Sequence, residues 1–337
     1  MAVSGWFCYT LPDMKNIINH GSALEFYDQW DAPTAIISDG AYGIKGFPGD
    51  PAKPSQLPDW YEPHIAAWTE AATPSTSLWF WNTEVGWASV HPVLERYGWQ
   101  YVQLVTWDKG IAHIAGNVNS NTIRRFPVVT EVAGLYVRPA VFVKNGDELS
   151  IQDWFRAEWK RAGFAASLAN EVCGVKNAAS RKWLTADHLW YMPPFEMFEK
   201  LRKYANAHGD PEGAPYFQMD NQEEWEDSRW SKMRSVWNHT HGLTNVWQIP
   251  SLRSSERVRC SDGTFLHTNQ KPQELMERQI IAVTNPGDTV WEPFGGLASA
   301  SVAAKKLGRS SFAAEPLEDF WRHASDRLDD VESWDFA

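Results

Sequence analysis

The chain has 337 residues, 43% of them hydrophobic and 22% charged, enough to bury the cores of about two domains and unlike a fibrous or wholly disordered protein. It shows no apolar run of ~18 residues and no basic-then-apolar leader, so the expectation is a cytoplasmic protein with no membrane partner. Cys8, Cys173 and Cys260 stand far apart with no C-x-x-C pair, so neither a disulfide framework nor a metal site is expected. The net charge of −11 is unevenly spread. Residues 1–70 set three lysines against nine acids, whereas residues 228–259 set six Lys/Arg against Glu256 alone. A locally basic middle is compatible with a nucleic-acid partner and equally with solvated helix faces.

In chain order, residues 34–38 (TAIIS) form a short β-branched run that ends in Asp39-Gly40-Ala41-Tyr42-Gly43. The pattern predicts a buried strand delivering polar groups at its C-terminal edge, where open α/β sheets hold ligands. Residues 77–81 and 101–107 are further predicted strands, with a helix over 85–97 between them. From 151 to 209 helical spacing takes over, in 151–162, 165–173 and 194–205. Within it, a pattern around Gly174 followed by residues 178–184 is compatible with a helix-turn-helix entering a DNA groove and with an ordinary helical subdomain. Residues 211–215 and the acidic stretch 220–227 predict a surface loop. Toward the other end, a helix over 272–281, a strand over 289–291, a helix over 298–307 and a strand over 311–314 make a second βαβ unit. The predicted class is α/β, a doubly wound, mostly parallel sheet interrupted by a helical insert.

Three segments carry chemistry. Residues 288–299 (DTVWEPFGGLAS) read as a strand, an acid at its end, glycines in the turn and a small-residue helix start, a place where a ligand can approach the backbone and unpaired amides. Glu315 follows Gly296 by nineteen residues and ends the next strand, a position from which a carboxylate can take both hydroxyls of a ribose. Asp39-Gly40-Ala41-Tyr42 offers acceptors and a ring that can grip one planar base, or is a β-turn capped by Asp. His267-Thr268-Asn269-Gln270-Lys271-Pro272 opens an amphipathic helix.

Together these segments resemble the β-class DNA amino-methyltransferases that use S-adenosylmethionine. In that family a D/S/N-P-P-Y/F motif comes first, a recognition region second, an H-P-T-Q-K-P-like segment third and a D-P-F-x-G-S-G-T-like motif last, and the order here is the same. Residues 21–25, 107–109 and 246–250 add to the likeness, which covers roughly 17–138 and 243–328. The resemblance implies a Rossmann-like methyltransferase fold with a catalytic half at 1–145, a mainly helical recognition insert at 146–240 and a cofactor-binding half at 241–337. It implies a base-flipping enzyme on double-stranded DNA, with Asp39, Gly40, Ala41 and Tyr42 catalytic. S-adenosylmethionine would be held by Glu292, Pro293, Phe294, Gly295, Gly296 and Glu315, with Lys271 near its carboxylate and Ser22 where an acid often meets its adenine. DNA contacts are expected from Lys176, Arg181, Lys182, Arg253 and Arg257. A cognate restriction endonuclease and a homodimer are the further partners it suggests.

The departures from the pattern are specific. Gly40 and Ala41 replace both prolines, Glu292 replaces an Asp, Gly296-Leu297-Ala298 stands where G-S-G is common, and Thr268 replaces a proline. Asp39 opening the tetrapeptide favours adenine N6 as the target, with cytosine N4 the alternative. An RNA or protein-glutamine methyltransferase, or an inactive DNA-binding relative, also stays open.

Overall fold

The computed structural model describes residues 14–45, 49–114, 122–144, 146–218, 224–252, 256–260, 262–267 and 269–331. They fall into two compact units, Met1–Arg138 with Ser235–Ala337, and Pro139–Arg234. The first unit contains β1 (Asn16–His20), β2 (Ala35–Ser38), α1 (Leu57–Ala71), β3 (Ser77–Asn82), α2 (Glu84–Arg96), β4 (Gln100–Asp108) and β5 (Thr130–Val137). The second holds the hairpin β6 (Val141–Lys144) and β7 (Asp147–Ser150), then α3 (Ile151–Arg161), α4 (Leu168–Cys173), α5 (Phe195–His208) and α6 (Asp227–Ser231). The chain returns to the first unit with β8 (Val246–Gln248), α7 (Gln273–Val283), β9 (Thr289–Glu292), α8 (Ser299–Lys306), β10 (Ser310–Glu315) and α9 (Glu318–Asp329).

Eight strands form one sheet in the order β1-β10-β9-β2-β3-β5-β4-β8, parallel throughout except for β5. Strands buried on both faces read as continuous apolar runs, which is why AIIS and SLWFWN were legible as strands. Alternate residues divide between the faces. Ile36, Leu78, Phe80 and Trp291 pack with Tyr61, Ile65 and Trp68 of α1 and with α2. Ala35, Ile37, Trp79, Trp81 and Val290 pack with Leu275, Met276 and Ile280 of α7 and with α8. From β2 the chain winds one way to β3, and from β9 the other way to β10, so the two adjacent strands β2 and β9 flank the topological switch point.

The Pro139–Arg234 unit has its own aromatic core. Trp154, Phe155, Phe198, Tyr216 and Phe217 are buried, and the Phe198 and Trp230 rings stack at 4.0 Å. Its ionic centre is Glu158, which takes Lys144 and Arg161 and accepts the Phe217 amide at 2.8 Å. The expected loop is exposed at Pro211, Glu212 and Pro215 but is anchored by buried Tyr216, Phe217 and Trp225; Asp220 lies outside the described residues. The helix expected over 178–184 is instead a five-residue π turn, Ala179–Trp183, after a left-handed Gly174 (φ 66°). At that length it is no groove-reading helix, which corrects the helix-turn-helix option.

Candidate active site

The tetrapeptide Asp39-Gly40-Ala41-Tyr42 leaves the C-terminal end of β2, and the turn with Phe294 and Gly296 leaves the end of β9 next to it. The two turns face one cleft of about 360 Å³, with Glu315 from the end of β10 and Phe320 from α9 on the same lining. This is the crevice that the switch point of a doubly wound sheet is expected to create. The turns are in direct contact. A Cβ on Gly40 would stand 2.6 Å from the Phe294 ring and 2.7 Å from the Tyr61 hydroxyl, so only glycine fits there.

Asp39 belongs to a partly buried ionic cluster built around the buried Lys271 ammonium. The Lys271 ammonium donates to both its carboxylate oxygens, at 2.6 and 2.8 Å, and to the Tyr42 hydroxyl at 3.0 Å, and pairs with Glu131 at 3.2 Å. Tyr42 Oη lies 2.8 Å from Asp39 Oδ1 and 3.1 Å from Glu131 Oε2, so its proton can go to either acid. The other oxygen of Glu131 takes Lys109. Burial opposes the charge on Glu131, but Lys271 and Lys109 outweigh it and hold the carboxyl at about 2. Burial likewise opposes the charge on Lys271, yet Asp39 and Glu131 keep its pKa above the ordinary lysine value. The Tyr42 phenol is pushed up, first by burial and then by the two acids. Two carboxylates, Asp39 and Glu131, thus stand opposite two ammoniums, Lys109 and Lys271, and their formal charges balance.

These contacts correct the expectation for Lys271. Its ammonium is spent on Asp39 and Glu131, 4% exposed, and is not placed to meet a ligand's carboxylate. Glu131, Lys109 and Asp50 were not anticipated; Asp50 accepts the Tyr42 amide at 3.1 Å. Glu131 is the second residue of β5, whose antiparallel direction puts its first residues at the rim where parallel strands end. A search for acids at strand ends passes over it.

The glycine turn also departs from expectation. Glu292 does not face the cleft. Its buried carboxylate accepts from Ala300 N (2.9 Å), Ser301 N (2.7 Å) and Ser301 Oγ (2.7 Å), capping α8 from the preceding strand. A carboxylate with three donors at a helix N-terminus is an internal cap. Gly295 donates its amide to the Ala314 carbonyl at 2.8 Å, and Pro293 is likewise not on the lining. Glu315 is on the lining, held by Gly296 N (2.9 Å) and Leu317 N (2.8 Å). Ser22 caps the short turn after β1, accepting from Leu24 N at 3.4 Å, and Gly21 beside it donates to the Glu315 carbonyl at 3.1 Å. His267 closes the cleft edge-on to Phe320, ring centroids 4.9 Å apart, and burial lowers its pKa.

A family model described as DNA methylase, of the N6/N4 class, matches residues 33–326. The chain belongs to the N6/N4 DNA methylase family. Among curated relatives, type II methyltransferase M.HinfI of Haemophilus influenzae is 30% identical over 87 residues, 26% of this chain and 24% of that protein. Type II methyltransferase M1.MboII of Moraxella bovis is 33% identical over 87 residues, 26% of this chain and 34% of its own length. The matched stretch therefore spans about a quarter to a third of those relatives. Among solved structures, the M1.HpyAVI–SAM complex aligns over 92% of this chain and 98% of its own at a TM-score of 0.50 and 19% identity. The cytosine-N4-specific PvuII DNA methyltransferase aligns over 96% and 93% at a TM-score of 0.51 and 11% identity. At these identities the likeness establishes a shared fold.

The expected DNA contacts divide. Lys176 and Arg181 are exposed and Lys182 is half-buried in the Pro139–Arg234 unit. Arg257 is turned inward, donating to the Leu252 (2.9 Å) and His267 (3.3 Å) carbonyls over the Phe265 ring, so its guanidinium is engaged within this family member's own fold. Arg253 and Thr268 lie outside the described residues, as does Cys8.

Proposed function

We propose that this protein methylates an exocyclic amine of a base in duplex DNA, adenine N6 before cytosine N4, using S-adenosylmethionine. The observation that carries the reading is the single cleft shared by the Asp39–Tyr42 turn and the Gly296–Glu315 wall. When bound, S-adenosylmethionine supplies a methyl group already activated by the sulfonium charge. The residues present fit it. Gly296 (φ 52°) leaves the wall open at the backbone, Glu315 keeps lone pairs for a diol, and Phe294, Leu317 and Phe320 supply apolar surface. The share that falls to the chain is orientation and charge.

An exocyclic amine conjugated with a ring is a poor nucleophile, because its lone pair is delocalised. Asp39 accepts an amine N–H and so favours a pyramidal nitrogen whose lone pair points into the cleft. It also stabilises the positive charge that grows on that nitrogen as the N–C bond forms and the sulfur–methyl bond breaks to leave a neutral thioether, a charge that is lost when the amine gives its surplus proton to water. Tyr42 offers a ring whose hydroxyl is tied down, so a base can stack on it without the ring turning. The target base must leave the helix to reach the cleft. Asp39 at the head of the tetrapeptide supports adenine.

The test is incubation with tritiated S-adenosylmethionine and duplex DNA, RNA or protein, followed by nucleoside analysis of the labelled DNA. N6-methyladenine is expected. N4-methylcytosine would move the target base, and label in RNA or protein alone would overturn the reading. Asp39→Ala is expected to lower turnover at least 10³-fold while the cofactor Kd changes less than about threefold; turnover retained in that variant would remove Asp39 from the chemistry.

A further inference from the structure

The Asp39–Tyr42 turn has Gly40 and Ala41 where the family pattern has two prolines, so ring closure does not stiffen its backbone. Proline is sterically shut out at position 40, since even a Cβ there meets Phe294 and Tyr61. The turn is nonetheless pinned. The Ala41 carbonyl accepts from Tyr61 Oη at 3.0 Å and Asn82 Nδ2 at 2.9 Å. The two side chains that face the cleft are held from behind, Asp39 by both its oxygens on Lys271, and Tyr42 by its hydroxyl among Asp39, Glu131 and Lys271.

Lys271 and Glu131 are themselves absent from the cleft lining. Lys271 has three N–H donors and three partners, Asp39, Tyr42 and Glu131, which is the full satisfaction that a buried ammonium requires. Glu131 is anchored in turn by Lys109, and it sits on β5, a central strand of the sheet. A chain of contacts therefore runs from the rigid sheet through Glu131 to both residues assigned to the reacting base.

We propose that Glu131 and Lys271 are positioning residues that fix the Asp39 carboxylate and the Tyr42 ring, the task that prolines would otherwise perform through the backbone. The proposal rests on the functional reading above and deepens it. Removing the tether leaves the acceptor and the ring in place but lets them wander from the geometry that transfer needs, which lowers kcat and leaves cofactor binding alone.

The experiment compares the full-length chain with Glu131→Gln and Lys271→Met, measuring kcat and KM on duplex DNA, the Kd for S-adenosylmethionine by calorimetry, and hydrogen exchange of the peptide covering residues 38–45. Both variants are expected to lose about 30-fold or more in kcat with the cofactor Kd within threefold. Exchange in the turn should quicken at least tenfold while the sheet strands keep their protection. The double variant should lose no more than the worse single, because one network is broken once. A kcat within threefold of wild type, unchanged exchange in the turn, or loss of protection across the whole sheet overturns the proposal. Glu131→Gln, which keeps the shape of the side chain, decides the matter if Lys271→Met does not fold. A wild-type chain that labels no DNA ends the functional reading alone, and the exchange comparison still decides the tether.

Discussion

Ala298 stands in the left-handed region (φ 56°) at the N-cap of α8, where the family pattern has glycine. An L-residue there costs about 1 kcal/mol, because its Cβ crowds the following carbonyl. Ala298→Gly should therefore stabilise the chain by roughly 0.5–1 kcal/mol, read as a higher midpoint in urea with unchanged slope. No gain would mean that the surrounding turn has relaxed the strain. Gly40 is the opposite case, a glycine that the packing demands. Gly40→Ala should destabilise by about 1–3 kcal/mol through overpacking against Phe294. In the Phe294→Ala background the same change should cost clearly less, and equal costs in both backgrounds would rule out that contact as the cause.

At the scale of elements, α8 shows how a residue type can be read correctly and its role misread. Glu292 at the end of β9 looks like a ligand-binding acid, yet Ala298 at the N-cap has no side-chain oxygen to offer, and the carboxylate turns to the helix amides instead. Burial pushes this carboxyl up to about 7, against the three donors and Arg327. A folded pKa above the unfolded value near 4.5 means that the folded state holds the proton more tightly. Its contribution is complete below about pH 4.5 and is lost as pH rises toward 7, by roughly 3 kcal/mol at about 1.4 kcal/mol per unit. Denaturant midpoints of wild type and Glu292→Gln between pH 4.5 and 7.5 should show wild type losing its advantage as pH rises, and a pH-independent difference would refute the shift. Elements with strong patterns, β2, β3, α2, α7, β9, α8 and β10, were legible because burial on one or both faces writes a clear period. β1 and β5 were not, since NIINH mixes polar residues with apolar ones and β5 runs against its neighbours. With β5 went Glu131, whose three partners, Tyr42, Lys109 and Lys271, come from three places in the sequence that only the fold assembles.

For the whole molecule, an acidic chain proposed to act on a polyanion must place its cations locally. The segment 151–208 carries nine Lys/Arg against six acids, but several are consumed by ion pairs, such as Arg161 with Glu158, Lys200 with Glu196 and Arg202 with Glu199. Arg181 and Lys182 on the π turn, with Lys176 beside it, have no such partner among the described ion pairs, and Arg181 is exposed. Contacts to phosphate release condensed counterions, so each contributes a slope of about −0.9 to the dependence of log K on log salt. Arg181→Glu with Lys182→Glu should therefore weaken duplex binding most at low salt and flatten that slope by about 2. The charge change alone also repels DNA at long range, a uniform effect that fades with screening. Replacement of the same pair by glutamine separates the two causes. Flattening that persists in the glutamine pair identifies direct phosphate contacts, and a slope unchanged in both pairs would take these residues out of the DNA interface.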